Sequence, residues 1–272
     1  DASWGFPAWQ IIHSSTRPSP HVNNDAWESE SVADMSDALT FIDTNLGRFR
    51  EELNEFLRIP SISAKSEYDD ETSRSAEWLA SRMREAGLEV EVLATEGHPI
   101  VLGEWRGAGA NAPTVLVYGH YDVQPPEPLE LWTSPPFEPT EREGRIYARG
   151  SADDKGQLYM HVKALEAHLA TSGSLPVNVV VLAEGEEEVG SPNLVPFVDA
   201  HLERLACDVV VISDTGMFAE GLPSILFSLR GLAYFEIHVH GARSDLHSGE
   251  FGGSVMNPGN ALSQIIASLH DD

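Results

Sequence analysis

Residues 114–122 read Thr114-Val115-Leu116-Val117-Tyr118-Gly119-His120-Tyr121-Asp122, a short β-branched run with little alternation that ends on a glycine, an imidazole and a carboxylate. A strand apolar on both sides is covered on both faces, as in the parallel sheets of α/β proteins. Residues 177–183 and 208–213 have the same character, and a helical stretch at about 157–170 lies between the first run and the second. Strand, helix and strand in this order predict an α/β fold: a mostly parallel sheet with helices on both faces. Such sheets bind ligands in the crevice beyond the carboxyl ends of their strands, so the residues that follow each run are the ones to inspect.

Upstream, Leu39, Ile42, Leu46, Phe49, Leu53 and Phe56 recur at spacings of three and four, the stripe of an amphipathic helix that Ser36 can cap and Pro60 ends. A second helix is predicted over about 72–84, closed by Gly87 and feeding a strand at 88–93. Residues 1–34 show no sustained period and no secretory leader pattern, and are expected to be a poorly ordered extension. Residues 35–225 are then expected to form one larger domain. Near Leu226 the pattern changes to alternating segments, with Phe235, Ile237 and Val239 on one face, and residues 226–272 are expected to begin a smaller α+β domain. Within it Asn257-Pro258 is a cap and first-turn pair for a helix whose apolar face holds Leu262, Ile265, Ile266 and Leu269. A second domain this short, with no returning segment, suggests an amino-terminal piece of a longer protein.

Composition narrows the partners. The 272 residues carry 17 Lys and Arg against 43 Asp and Glu, a formal net charge of −26 that repels nucleic acid and anionic lipid surfaces. The single cysteine, Cys207, lies in an apolar stretch and reads as a core residue; lone cysteines favour a reducing, cytoplasmic setting over secretion.

Each predicted strand end presents groups able to bind a metal. His120 and Asp122 follow the first, Glu184-Gly185-Glu186-Glu187-Glu188 the second, and Asp214 the third, while Asp153-Asp154 open the intervening helix. His120 and Asp122 are two apart on an extended segment and share a side, so the carboxylate can bind the same ion or hold the imidazole from behind. An acidic helix start also has an electrostatic explanation in the macrodipole. Carboxylates crowded at one strand end, however, repel one another unless cations or protons neutralise them.

Four ordered motifs make the chain resemble the M20-type metal-dependent peptidases and deacylases, which include carboxypeptidase G, succinyl-diaminopimelate desuccinylase, carnosinase and cytosolic nonspecific dipeptidase. They are residues 119–125 (from Gly119-His120-Tyr121-Asp122 to Pro125), 147–156 (including Asp153-Asp154-Lys155-Gly156), 184–191 (the glutamate run to Ser191) and Asp245-Leu246-His247-Ser248-Gly249. Residues 122–125, 132–137 and 245–249 are more similar to the dipeptidase and carnosinase branch. The resemblance implies a zinc-peptidase-like catalytic domain with a lid and dimerisation domain, and hydrolysis of dipeptides or short peptides by water activated between two divalent cations. Zinc is the expected metal, with manganese or cobalt as alternatives.

Position by position, the resemblance implies that His120 and Asp214 bind one metal, Asp153 bridges both and Glu188 binds the second. Asp122 would orient His120, Glu187 would act as general base, and His247 would reach the active site of a partner subunit in a homodimer. The family's further histidine ligand near the carboxyl end has no counterpart; His270 lies in the wrong region. The alternatives are an N-acyl amino acid deacylase or desuccinylase on the same scaffold, and a noncatalytic fragment that binds metal or a partner.

Overall fold

The computed structural model describes residues 9–13, 31–222, 224–226 and 228–270. It divides into two compact units, Asp1–Ser228 and Leu229–Asp272. In the first, the elements run β1 (Trp9–His13), α1 (Ser31–Leu57), α2 (Asp69–Glu85), β2 (Glu89–Leu93), β3 (Ile100–Trp105), β4 (Thr114–His120), β5 (Thr140–Arg142), β6 (Arg145–Tyr147), α3 (Lys155–Ser172), β7 (Asn178–Glu184), α4 (Leu194–Ala200), β8 (Val209–Ile212) and β9 (Ile225–Leu226).

Seven of these strands form one sheet in the order β2-β3-β7-β4-β8-β1-β9. Its centre is the parallel trio β7, β4 and β8, with His120 opposite Glu184 at the far end of the register. The α/β reading therefore holds, but the flanks are antiparallel: β2 with β3, β3 with β7 and β1 with β8. Only six residues, 94–99, separate β2 from β3, too few for a crossover, so those strands must turn back on each other.

Side chains alternate faithfully across this sheet. Val101, Val117, Val179, Val181 and Ala183 face a core built with Phe49 and Phe56 of α1, Ala76 and Leu79 of α2, and Leu158 and Val162 of α3. Ile100, Leu102, Leu116, Val180 and Leu182 face the other way, onto Phe197 and Leu205, with Cys207 packed at the margin. Two cores on opposite faces explain why the central strands read as apolar runs without alternation.

Several boundaries differ from the periodicity. Of the 1–34 stretch, residues 1–8 and 14–30 lie outside the described residues. Trp9–His13 pairs between β8 and β9, and α1 begins at Ser31, ahead of the Ser36 cap. Glycine does end α2 and α3 where a left-handed turn is needed, at Gly87 (φ 99°) and Gly173 (φ 71°).

In the second unit, α5 (Ser248–Phe251) and α6 (Pro258–Ala267) are the helices. Asn257 caps α6 as its sequence predicts, accepting from the Gly259 N–H at 2.8 Å with Pro258 in the first turn. Residues 229–242 form no strand, although they alternate. No ladder partner faces them among the described residues, and Leu232 and Tyr234 are 90% and 94% exposed.

A buried charge network ties α1 to α3. Glu52 accepts from Lys163 Nζ (2.6 Å), Tyr159 Oη (2.6 Å) and Arg48 Nη1 (2.8 Å). Burial works against its anion, but these three donors outweigh it and hold the carboxyl down to about 2 from 4.5. Because the folded value lies below the unfolded one, this stabilisation is complete above about pH 4.5 and is lost as the pH falls towards 2. Glu52→Gln should therefore flatten the acid limb of unfolding free energy against pH in urea titrations; an unchanged slope below pH 4.5 would contradict the network's role.

Candidate metal centre

Parallel strands β4, β7 and β8 end at one edge, and each is followed at once by acidic side chains. His120 is the last residue of β4 and is wholly buried. Its Nδ1 lies 3.1 Å from the Asp122 carbonyl and 3.2 Å from Asp122 Oδ1, so Asp122 faces the back of the imidazole. Its Nε2 points the other way, 3.1 Å from Asp153 Oδ1 and 3.7 Å from Asp214 Oδ2. Burial favours the neutral ring, but the contacts to Asp122 and Asp153 prevail and push His120 up to about 12.

Around that nitrogen two overlapping donor sets close. His120, Glu187 and Asp214 present ligand atoms within 4.8 Å of one another, and so do His120, Asp153 and Glu188. Glu187 and Glu188 begin the 3₁₀ turn Glu187–Val189 after β7, Asp153 precedes α3, and Asp214 follows β8. Thus six of the seven residues singled out from the sequence meet at one edge. The seventh, His247, lies in the second unit, where its Nδ1 accepts from the Gly249 N–H at 3.1 Å and caps α5.

The electrostatics of the cluster suit a cation. Burial raises the carboxyl pKa of Glu187, Glu188 and Asp214, and neighbouring carboxylates raise it further against the pull of His120. The hydrogen bond from His120 instead lowers Asp153. Imidazole with several carboxylates, partly desolvated and mutually repelling, is a donor set that fits divalent ions such as zinc or manganese. Asp153 remains open to solvent, its side chain 54% exposed, so the centre has an entry side.

Three supporting residues carry no role in the sequence reading. Asp154 is buried and accepts the His120 backbone N–H at 3.1 Å, and burial raises its pKa strongly. Its Oδ1 is buried without a hydrogen-bond partner among the described residues. Gln124 donates to Glu188 Oε2 at 2.7 Å, and Ser63 donates to Asp122 Oδ2 at 2.6 Å. Asp154 and Gln124 stand inside quoted motifs, but spacing does not say which of two adjacent carboxylates turns inward. Ser63 is 59 positions from its partner, and no local period could reveal it.

The chain is also similar to known proteins. The family model described as Peptidase family M20/M25/M40 matches residues 116–253. The chain is 36% identical over 241 residues to the Cys-Gly metallodipeptidase dug1 of Schizosaccharomyces pombe, covering 84% of this chain and 50% of that protein. It is 37% identical over 175 residues to the human Beta-Ala-His dipeptidase, covering 64% of this chain and 34% of that protein. A crystal structure of human carnosine dipeptidase 1 superposes with a TM-score of 0.60 at 26% identity, covering 87% of this chain and 52% of that one. The dipeptidase Dug1p of Saccharomyces cerevisiae gives 0.59 at 26% identity, with coverages of 87% and 53%. The chain thus spans about half the length, or less, of the relatives it matches.

Gly119 offers a test of the packing that needs no relative. A methyl group there would meet Asp154 Oδ2 at 2.6 Å and Leu158 Cδ1 at 3.1 Å, whereas one at Gly47 on α1 would meet nothing within 4 Å. Gly119→Ala should destabilise by about 1–3 kcal/mol, as overpacking does. Gly47→Ala should stabilise by about 0.5–1 kcal/mol. Urea unfolding of both variants is the check, and equal midpoints would refute the close approach.

Proposed function

The chain belongs to peptidase family M20/M25/M40, and on that premise we propose that its first unit carries the hydrolytic centre of a metal-dependent dipeptidase. The observation that carries the reading is the pair of donor sets sharing His120, one through Asp214 and Glu187, the other through Asp153 and Glu188. Under this reading His120 and Asp214 would hold one divalent cation and Glu188 a second, with Asp153 as a ligand to both. Zinc is the metal we assign, with manganese or cobalt able to replace it. Bound there, the cations supply Lewis acidity, lowering the pKa of water and polarising a peptide carbonyl.

The protein's own groups do the rest. Glu187, whose carboxyl is raised by burial and like charge, takes the proton of the attacking water and returns it to the departing amine. A base in this position works best when its pKa lies nearer the working pH than an ordinary glutamate's, and the direction of its shift is the required one. Asp122 keeps the His120 ring turned so that Nε2 faces the ligands. His247 is assigned, from the family resemblance, to steady the oxyanion in the active site of a second copy, which makes a homodimer the working form. We also propose that residues 35–225 form the catalytic domain and 226–272 begin a lid domain, with the 1–34 extension lending Trp9–His13 to the sheet.

Dipeptides are the proposed substrates because the dipeptidases similar to this chain are named for Cys-Gly and β-Ala-His. A reducing, cytoplasmic location accords with the single cysteine. No helix of the described residues is long and apolar enough to cross a membrane.

The test is hydrolysis of Cys-Gly, β-Ala-His and a panel of N-acyl amino acids by the zinc- or manganese-loaded protein, with and without chelator. Chelator-sensitive cleavage of dipeptides supports the proposal; cleavage of acyl amino acids alone would move the activity to the deacylases. Glu187→Gln should cut turnover by about a hundredfold or more while metal content stays near that of the parent. Asp153→Ala should instead lose metal in elemental analysis. Full turnover with Glu187→Gln would remove the base from the account.

A further inference from the structure

Asp122 is wholly buried, and both of its carboxylate oxygens are engaged. Oδ1 faces His120 Nδ1 at 3.2 Å, while Oδ2 accepts the Ser63 hydroxyl at 2.6 Å and the Glu188 backbone N–H at 3.2 Å. One carboxylate therefore touches the residues of both proposed metal corners: the imidazole of the first and the main chain of the second. The Ser63 contact is the shortest of the three.

Ser63 reaches this place from the connection between α1 and α2, and that connection is itself fixed. The Ser61 carbonyl accepts the Val123 N–H at 2.9 Å, and the Ser61 hydroxyl donates to the Tyr121 carbonyl at 2.7 Å. Ser75 of α2 donates to the same carbonyl at 3.3 Å. A few residues earlier, the Phe56 and Ile59 carbonyls accept Lys155 Nζ at 3.1 and 2.7 Å, which ties the end of α1 to the turn that carries Asp153 and Asp154. The hydroxyl is thus held by a scaffold anchored to two of the loops that build the centre.

We infer that Ser63 is a positioning residue for the metal centre: its hydroxyl fixes the Asp122 carboxylate, and through it the direction of the His120 ring and the seat of Glu188. Without that donor, Oδ2 keeps only the longer Glu188 contact, and the carboxylate is free to rotate about its last torsion. Rotation would leave the imidazole only the Asp122 backbone carbonyl, at 3.1 Å, and take the carboxylate from the Glu188 N–H. The effect on metal binding rests on the functional reading above; the contact between Ser63, Asp122 and His120 does not.

Ser63→Ala and Ser63→Thr separate the possibilities, measured on the full chain in two ways. In the metal-free protein, histidine-labelled NMR reads the His120 Nδ1–H signal. Ser63→Ala should shift it and Ser63→Thr should restore it. By calorimetry, Ser63→Ala should weaken zinc binding by about tenfold, the lower end for groups that orient a ligand histidine. In an Asp122→Ala background the same change should alter zinc affinity by less than about twofold, because its route is gone.

A His120 signal and a zinc affinity that ignore Ser63→Ala would overturn the inference. So would an equal loss of affinity with Asp122 already removed, which would mark Ser63 as a general stabiliser of its loop. A parent protein that binds no zinc would sink the functional reading, and the His120 signal would still decide whether Ser63 acts through Asp122.

Discussion

Carboxylates do not gather at a desolvated edge without something to hold them there. Here Asp122, Asp153, Glu187, Glu188 and Asp214 are brought to the end of three parallel strands around one buried imidazole, and burial raises the pKa of three of them. Desolvation and mutual repulsion both oppose such a cluster, and proteins retain one where a cation or a proton repays the arrangement. His120 supplies part of that compensation through Asp122 on one side and Asp153 on the other. A divalent cation held by the same groups would supply the remainder.

The fold makes this convergence rigid. Strands covered on both faces cannot slip in register without exchanging one core for the other, so the position of His120 opposite Glu184 is set by valines far from the chemistry. Close packing continues into the site, where Gly119 leaves room for Asp154 and Lys155 Nζ donates to the Phe56 carbonyl of α1 and to that of Ile59 just past it. Charge is handled differently away from the edge. Glu52 sits among Arg48, Tyr159 and Lys163, so its anion is favoured, while burial and like charge raise Glu187, Glu188 and Asp214.

Much of this was legible in the amino-acid sequence. The runs at 114–118 and 177–183 carry apolar residues on both sides because each side meets a core, and the ligand candidates follow them directly. The parallel centre was readable, but the antiparallel flanks were not, since strand direction depends on the brief 94–99 connection rather than on composition. Residues 229–242 alternate as strands do yet form none, because alternation describes a strand's faces and says nothing of its partner. Site residues adjacent in a motif were found. Ser63 was not, since a contact made across 59 positions leaves no trace in spacing.

Anomalous X-ray diffraction from crystals soaked in zinc measures the central claim most directly. The account predicts strong density within bonding distance of His120 Nε2 and of carboxylate oxygens from Asp153, Glu188 and Asp214. Density confined to other surfaces of the protein, with the space beside His120 Nε2 holding only water, would contradict it.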